Sequence, residues 1–268
     1  MDQAGRRGED RVEGAWKNAA MRRAQIVPAL IAVALLAGCG SSGGGKSSTT
    51  SQAAANSSGA GAAKALTKSE ALALANALML RASDAPAGYK ASPPEKESKE
   101  DELGRKLTAC AGGAGEAGQL ADVKSDEFSR EAGVVHLKVQ SGVTVERTPA
   151  LANQDLAAIR SERGKRCLSK FLDQYLRGKN YNGATIGPAS VSEGTPPAPG
   201  TSGGFALRVV FQISYQGIKI PTYIDFLGFV SGPAEVTLFS LGVPEAFPAA
   251  IQQHLFGLLV QRSQTRGA

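Results

Sequence analysis

The sequence predicts an α+β domain, a single antiparallel β-sheet with helices packed on one face, occupying residues 65–268. Three observations predict it. Between residues 205 and 242, "FALRVVFQISY", "IKIPTYIDFLGFV" and "AEVTLFSLG" are rich in β-branched and aromatic side chains and are joined by "QG" and "SGP" turns of hairpin length. Helical patterns stand before and after this run, the order expected when helices pack on a meander. Residues 40–64 are mostly Gly, Ser, Thr and Ala with hardly a larger apolar side chain and cannot share the core, although the chain as a whole is 42% hydrophobic.

The chain opens with an export segment. In "MRRAQIVPALIAVALLAGC", two arginines precede an apolar run from Ile26 to Ala37 and small residues up to Cys39. That is the form of a secretory signal, with an apolar run too short to cross a bilayer as a stable helix. Since Met21 begins a signal of ordinary form, residues 1–20 read as an upstream extension and 21–38 as the signal. Gly40 to Ser47 also spell the phosphate-loop pattern G-x-x-x-x-G-K-[ST], but that loop needs a strand entering it and a packing helix leaving it. Here "SSTTSQAAANSSGAGAAK" follows, so no nucleotide site is expected. Residues 40–64 form a tether with a reach of roughly 25 to 30 Å.

From Leu66 the pattern becomes structural. Thr67 to Glu70 has the capping-box form and opens a helix over about 67–82, which "DAPAGY" ends. "ELGRKLTACAGG" forms a short helical turn carrying Cys110. Residues 134–145 alternate, with Val135, Leu137 and Val139 on one face and His136, Lys138 and Gln140 on the other, as in a half-buried strand. Pro149 opens a helical region to about Arg177. Its first half sets one apolar face with Leu151, Leu156 and Ile159, its second nearly the opposite face with Leu168, Phe171, Leu172 and Tyr175, which predicts a break near Gly164. "EGTPPAPGTSGG" is an exposed loop. A last helix over about 245–264 turns Phe247, Ile251, Leu255, Leu258 and Leu259 to the core.

The formal charge of +6 from 30 basic and 24 acidic residues falls to about +4 once residues 1–38 are set aside, too little to argue for nucleic acid. The chemical inventory is thin. His136 reads as a solvated strand residue and His254 as a hydrogen-bonded histidine at the boundary of the last helix. Neither has a second His or Cys at ligand spacing, so no metal and no cofactor is expected. Ser202 centres a G-x-S-x-G match, but a proline loop enters it and a strand leaves it, unlike a nucleophile elbow. Arg166, Lys170 and Arg177, interrupted by Asp173, form a basic stripe that reads as a solvated face, with an approach to anionic headgroups as the lesser alternative. Outside the cytoplasm Cys110 and Cys167 are expected to pair. The alternative, a redox or nucleophilic cysteine, lacks a Cys-x-x-Cys spacing and a local base.

Leu36-Ala37-Gly38-Cys39 resembles the lipobox of bacterial lipoproteins. The resemblance implies acylation of Cys39 as the mature N-terminus, a palmitate-type anchor, and a domain held on the extracytoplasmic face of the cell membrane. From Leu66 the order of "DAPAGY", "TACAGG", "DVKSDEF", a strand, a helix with "RCL" and hairpin strands resembles the extracytoplasmic sensor-type domains of actinobacterial lipoproteins and receptor kinases. That resemblance implies the Cys110–Cys167 pairing and carries over no catalytic residue.

A non-catalytic, tethered ligand-binding or sensor-type module is therefore expected, with a cell-envelope lipid, glycan or protein as ligand and with no nucleic-acid partner. Phe205, Phe211, Tyr215 and Tyr223 are the strand residues from which contacts would come. A lipid or glycolipid carrier is the alternative and a cell-envelope hydrolase the third. A dry cavity of several hundred Å³ between sheet and helices would favour the carrier, a shallow polar groove the binding module.

Expression in a bacterial host should yield a membrane-bound form carrying a diacylglycerol mass increment that Cys39→Ser loses. Unchanged mass and membrane partition in that variant would contradict the lipobox.

Overall fold

Thr67 opens the fold as the capping box requires. In the computed structural model, which describes residues 65–94, 106–177 and 183–266, its hydroxyl accepts from the Glu70 N–H at 3.2 Å and its own N–H donates to Glu70 Oε2 at 2.8 Å. The helix so begun, α1 (Lys68–Leu78), buries Ala71, Ala75 and Leu78. The elements that follow are β1 (Lys90–Ser92), α2 (106–111), β2 (Gln119–Lys124), β3 (Glu127–Ala132), β4 (Val135–Glu146), α3 (Pro149–Arg160) and α4 (Glu162–Arg177). Then come β5 (Thr185–Ile186), β6 (Ser190–Gly194), β7 (Gly203–Tyr215), β8 (Ile218–Ser231), β9 (Ala234–Val243) and α5 (Ala249–Arg266). The export segment, Cys39 and the tether lie outside the described residues. Among the described residues no helix is long and apolar enough to cross a membrane.

The strands join in one antiparallel sheet of order β1-β3-β4-β9-β8-β7-β5, in which β2 takes the other half of the β4 edge and β6 pairs with β7. The β7–β8–β9 meander is the expected one. At its first turn Gln216 and Gly217 both have positive φ, 50° and 79°, the backbone that a two-residue hairpin turn of type I′ demands.

The α+β class and the single sheet are as expected, but helices cover both faces of the sheet. On one face α1 and α5 bring Ala71, Ala75, Leu255 and Leu259 into one cluster with Val139, Val143 and Leu238. On the other, Leu168 and Leu172 of α4 pack with Val209, Phe211 and Ile224, while Ala152 and Leu156 of α3 meet Val230. The reason lies in the central strands. In β9 the even positions Val236 and Leu238 are apolar, and so are the odd positions Phe239, Leu241 and Val243. A strand apolar on both sides must be covered on both. For the same reason His136 is not solvated. It lies opposite Val243 and is 4% exposed, and Gln140, opposite Phe239, is 1% exposed.

The break expected near Gly164 is present, and the last helix starts later than expected. The helical region 149–177 breaks at Ser161, whose ψ of 152° leaves the helix; Gly164 lies just beyond, where a Cβ would stand 2.2 Å from the Ala158 carbonyl oxygen. The last helix begins at Ala249 rather than near residue 245, because Pro244 and Pro248 precede it, and Phe247 is buried ahead of the helix. A buried polar cluster seats α5 on the sheet. Asp225 accepts from Arg208 Nε at 2.6 Å and from Gln252 Nε2 at 3.2 Å, and Gln252 also donates to Ser240 Oγ at 2.7 Å.

Cys110 and Cys167 form the expected disulfide, with Cα atoms 5.9 Å apart and a separation of 57 positions in sequence. It ties α2 to α4. Closing a loop of that length stabilises by about 4 kcal/mol on the chain-entropy account. The double variant Cys110→Ala, Cys167→Ala should lower the urea midpoint accordingly, and an unchanged midpoint would show that the bridge constrains nothing.

Candidate functional site

The face of the sheet beneath α3 is not fully covered, and a cavity of about 460 Å³ opens there. Its floor follows from register. Gly142 lies opposite Thr237, Thr144 opposite Glu235, and Gln140 opposite Phe239, so period-2 alternation puts Gly142, Thr144 and Glu146 of β4 on the same side as Glu235, Thr237 and Phe239 of β9. Phe226 continues the floor on β8, paired with Phe239 at a ring separation of 5.6 Å. The roof is Asp155, Ala158 and Ile159 of α3, with the segment from Leu107 to Glu116 closing one side. Gly142 keeps the floor low. A Cβ there would meet nothing nearer than the Val123 carbonyl oxygen at 3.9 Å, so any larger side chain would stand in the cavity.

One end of this cleft is acidic. Glu146, Asp155 and Glu235 each place a carboxylate oxygen within 4.8 Å of the others. Glu146 is fixed by the ladder around it, its N–H donating to the Pro233 carbonyl at 2.8 Å and the Arg147 N–H donating to the Gly118 carbonyl at 2.7 Å. Asp155 Oδ1 accepts from the Ala114 N–H at 2.6 Å. Two glycines permit these approaches. A Cβ on Gly113 would lie 2.3 Å from Asp155 Oδ1, and one on Gly118 would lie 2.5 Å from Glu146 Oε2. The Cys110–Cys167 bridge holds the segment that carries Gly113.

Burial and mutual repulsion set the protonation of the group. The Glu235 carboxyl is pushed up to about 10, first by burial, then by the charge of Asp155 and a hydrogen bond with it, then by the charges of Glu146 and Asp122. The Glu146 carboxyl is pushed up to about 7 by burial and then by Asp155, against a smaller opposing pull from Arg147. Glu146 is 2% exposed, and its Oε2, like Oε1 of Glu235, has no hydrogen-bond partner among the described residues. The group therefore retains protons when nothing else is bound. It is also a set of oxygen acceptors open to a cation, at the end of an otherwise mainly apolar cleft.

Of the four strand residues expected to make ligand contacts, Phe205 lines the cleft and the other three do not. Phe211 and Tyr215 belong to the core under α4, and Tyr223 is half-buried on the opposite side of the sheet. Ser202 is exposed, and its N–H extends the β7–β8 ladder by donating to the Val230 carbonyl at 2.8 Å. His136 stands 3.5 Å from Glu131 Oε1, away from the cleft lining. His254 is exposed instead of bonded at a boundary, beside Ile251, Leu258 and Asp84 in a separate shallow pocket. Arg166 and Lys170 are exposed, as a solvated face requires. The three acids were missed. Their signal was Asp155, placed between Leu151 and Ile159 at helical spacing and so on the apolar stripe of α3.

The raised carboxyls fix the sign of the pH dependence. Unfolded, Glu146 loses its proton near 4.5; folded, it keeps it to about 7. Its contribution to stability is therefore full below 4.5 and is lost as pH rises through 7, and Glu235 extends the loss toward 10. The urea midpoint should fall between pH 5 and pH 8. Glu146→Gln should flatten that fall and be the more stable protein at pH 8, and parallel curves for variant and wild type would refute the assignment.

No protein-family model matches the chain, and no curated protein is detectably similar to it. Among solved structures, the chain is similar to the extracellular domain of PknH from Mycobacterium tuberculosis, with 11% identity and a TM-score of 0.43 over 75% of this chain and 98% of that one.

Proposed function

We propose that this protein is a non-catalytic binding module, tethered to the extracytoplasmic face of the membrane through Cys39, whose cleft takes one small amphipathic molecule. The observation that carries it is the cavity of about 460 Å³, a size that holds one drug-sized ligand, with aromatic and aliphatic walls and a few polar groups gathered at one end. The Cys110–Cys167 bridge supports an oxidising compartment. Lipidation rests on the lipobox alone.

The carrier reading gains from the same cavity, because volume and apolar wall are what it asks for. Against it stand the three carboxyl groups, since acyl chains offer no partner to buried polar oxygens. A hydrolase finds less support: neither histidine nor Ser202 lines the cleft.

Gly142→Leu should fill the floor. Nile red, an uncharged dye that fluoresces in apolar surroundings, should bind the full chain, and the variant should weaken that binding by about tenfold or more with no loss of thermal stability. Equal dye binding by a folded variant would place the dye elsewhere and count against the cleft. Turnover of envelope esters or glycans, abolished by Glu146→Gln, would make the protein an enzyme.

A further inference from the structure

We infer that the cleft selects a primary ammonium carried on an apolar body, with Glu146, Asp155 and Glu235 receiving the ammonium and the wall toward Phe226 and Phe239 receiving the body. The inference rests on the binding function proposed above and names its ligand class. A buried acceptor without a donor is costly, and Glu146 is one: 2% exposed, lining the cavity, with Oε2 unpartnered among the described residues. No Lys, Arg or His among the described residues lines the cleft, so the three acids meet no cation of the protein there and a cationic ligand can supply the charge.

The shape and chemistry of the cleft favour an ammonium over a bare metal ion. An –NH₃⁺ has three N–H groups, one for each carboxylate, and each bond so made is charge-assisted. The acceptor oxygens of Glu146, Asp155 and Glu235 all lie within 4.8 Å of one another. A hard divalent ion draws its oxygens in to ~2.0–2.6 Å and completes its shell with further oxygen ligands. Such an ion would also leave the apolar part of the cleft empty. Phe239 lies four residues along β9 from Glu235, about 13 Å at the strand rise. Between them the floor is Thr237 and Gly142, low enough for an alkyl chain to lie along the strands under Ile159.

The test is calorimetric titration of the full 268-residue chain at pH 7 with n-hexylammonium chloride, 1-hexanol and calcium chloride. Hexylammonium should bind at least about tenfold more tightly than hexanol, which has the same body without the charge. Glu146→Gln and Asp155→Asn should each weaken hexylammonium about tenfold and leave hexanol unaffected. Both are isosteric, and the amide oxygen that the second introduces can still accept from the Ala114 N–H, so near-ultraviolet circular dichroism should match wild type. Hexanol binding as tightly as hexylammonium would overturn the inference and leave the cleft standing. Calcium binding that hexylammonium does not displace would overturn it in favour of a divalent-ion site. If none of the probes binds, the inference and the cleft's binding function fall together.

Discussion

The central position of β9 is the constraint on which the rest of the structure depends. It pairs with β4 from Val243 to Ala234 and with β8 from Gly242 to Ala234, so its backbone is committed on both edges and each side chain is assigned to one face. Val236 and Leu238 go to the core under α1 and α5. Glu235, Thr237 and Phe239 go to the cleft. A slip of one residue would drive Glu235 into the α1–α5 core and expel Leu238 from it, at a cost of several kcal/mol for the unpaired carboxylate alone. The apolar cluster on one face thus fixes the geometry of the site on the other. Stability and the geometry of the cleft are coupled through a single register.

How far the sequence revealed this fold depended on whether the information was local. The capping box at Thr67, the turn at Gln216–Gly217 and the β-branched and aromatic composition of β7 and β8 are set by neighbours in the chain, and all could be read. The short strands could not. β1, β5 and β6 are short and mostly exposed at the sheet's margins, held by pairing to a longer neighbour rather than by any pattern of their own. β4 misled for a related reason. His136, Lys138 and Gln140 look like a solvent face because they are polar, yet β9 brings Phe239, Leu241 and Val243 onto that same side, and a polar residue beside such neighbours is enclosed. Polarity in sequence reports what a side chain prefers, whereas burial is set by what the opposite strand supplies.

The acidic end of the cleft was illegible for the same physical reason, made more severe by distance. Glu146 closes one strand, Asp155 lies on the helix that follows, and Glu235 opens a strand far along the chain, so no spacing rule joins them. Each has an ordinary local explanation, as a strand end, a helix residue or an alternating polar position. Two discrepancies were nevertheless present. Asp155 interrupts an apolar helical stripe, and Glu235 shares its parity with Phe239, Leu241 and Val243 as well as with Thr237. Either could have marked a buried carboxylate. Neither could have said that the two meet.

What remains to be explained is why such an arrangement persists when apolar side chains of similar volume would pack at no electrostatic cost. Taking carboxylates out of water is unfavourable by several kcal/mol per ion even after relaxation, and clusters of like charge add repulsion. The fold makes further concessions to the group: glycine at 113 and 118, where a Cβ would strike Asp155 or Glu146, and a disulfide holding the loop that supplies the Ala114 N–H. Neither glycine adds a side chain to the core. Local rules broken together at one place, with supporting features arranged around the breach, are the mark of a site kept for what it binds. The protons that Glu235 and Glu146 retain are consistent with this, because they let the domain fold with its acids neutralised and can be exchanged when a cation arrives. Protonation makes the carboxyls tolerable in the free protein, and the proposed cation would satisfy the same three side chains by charge.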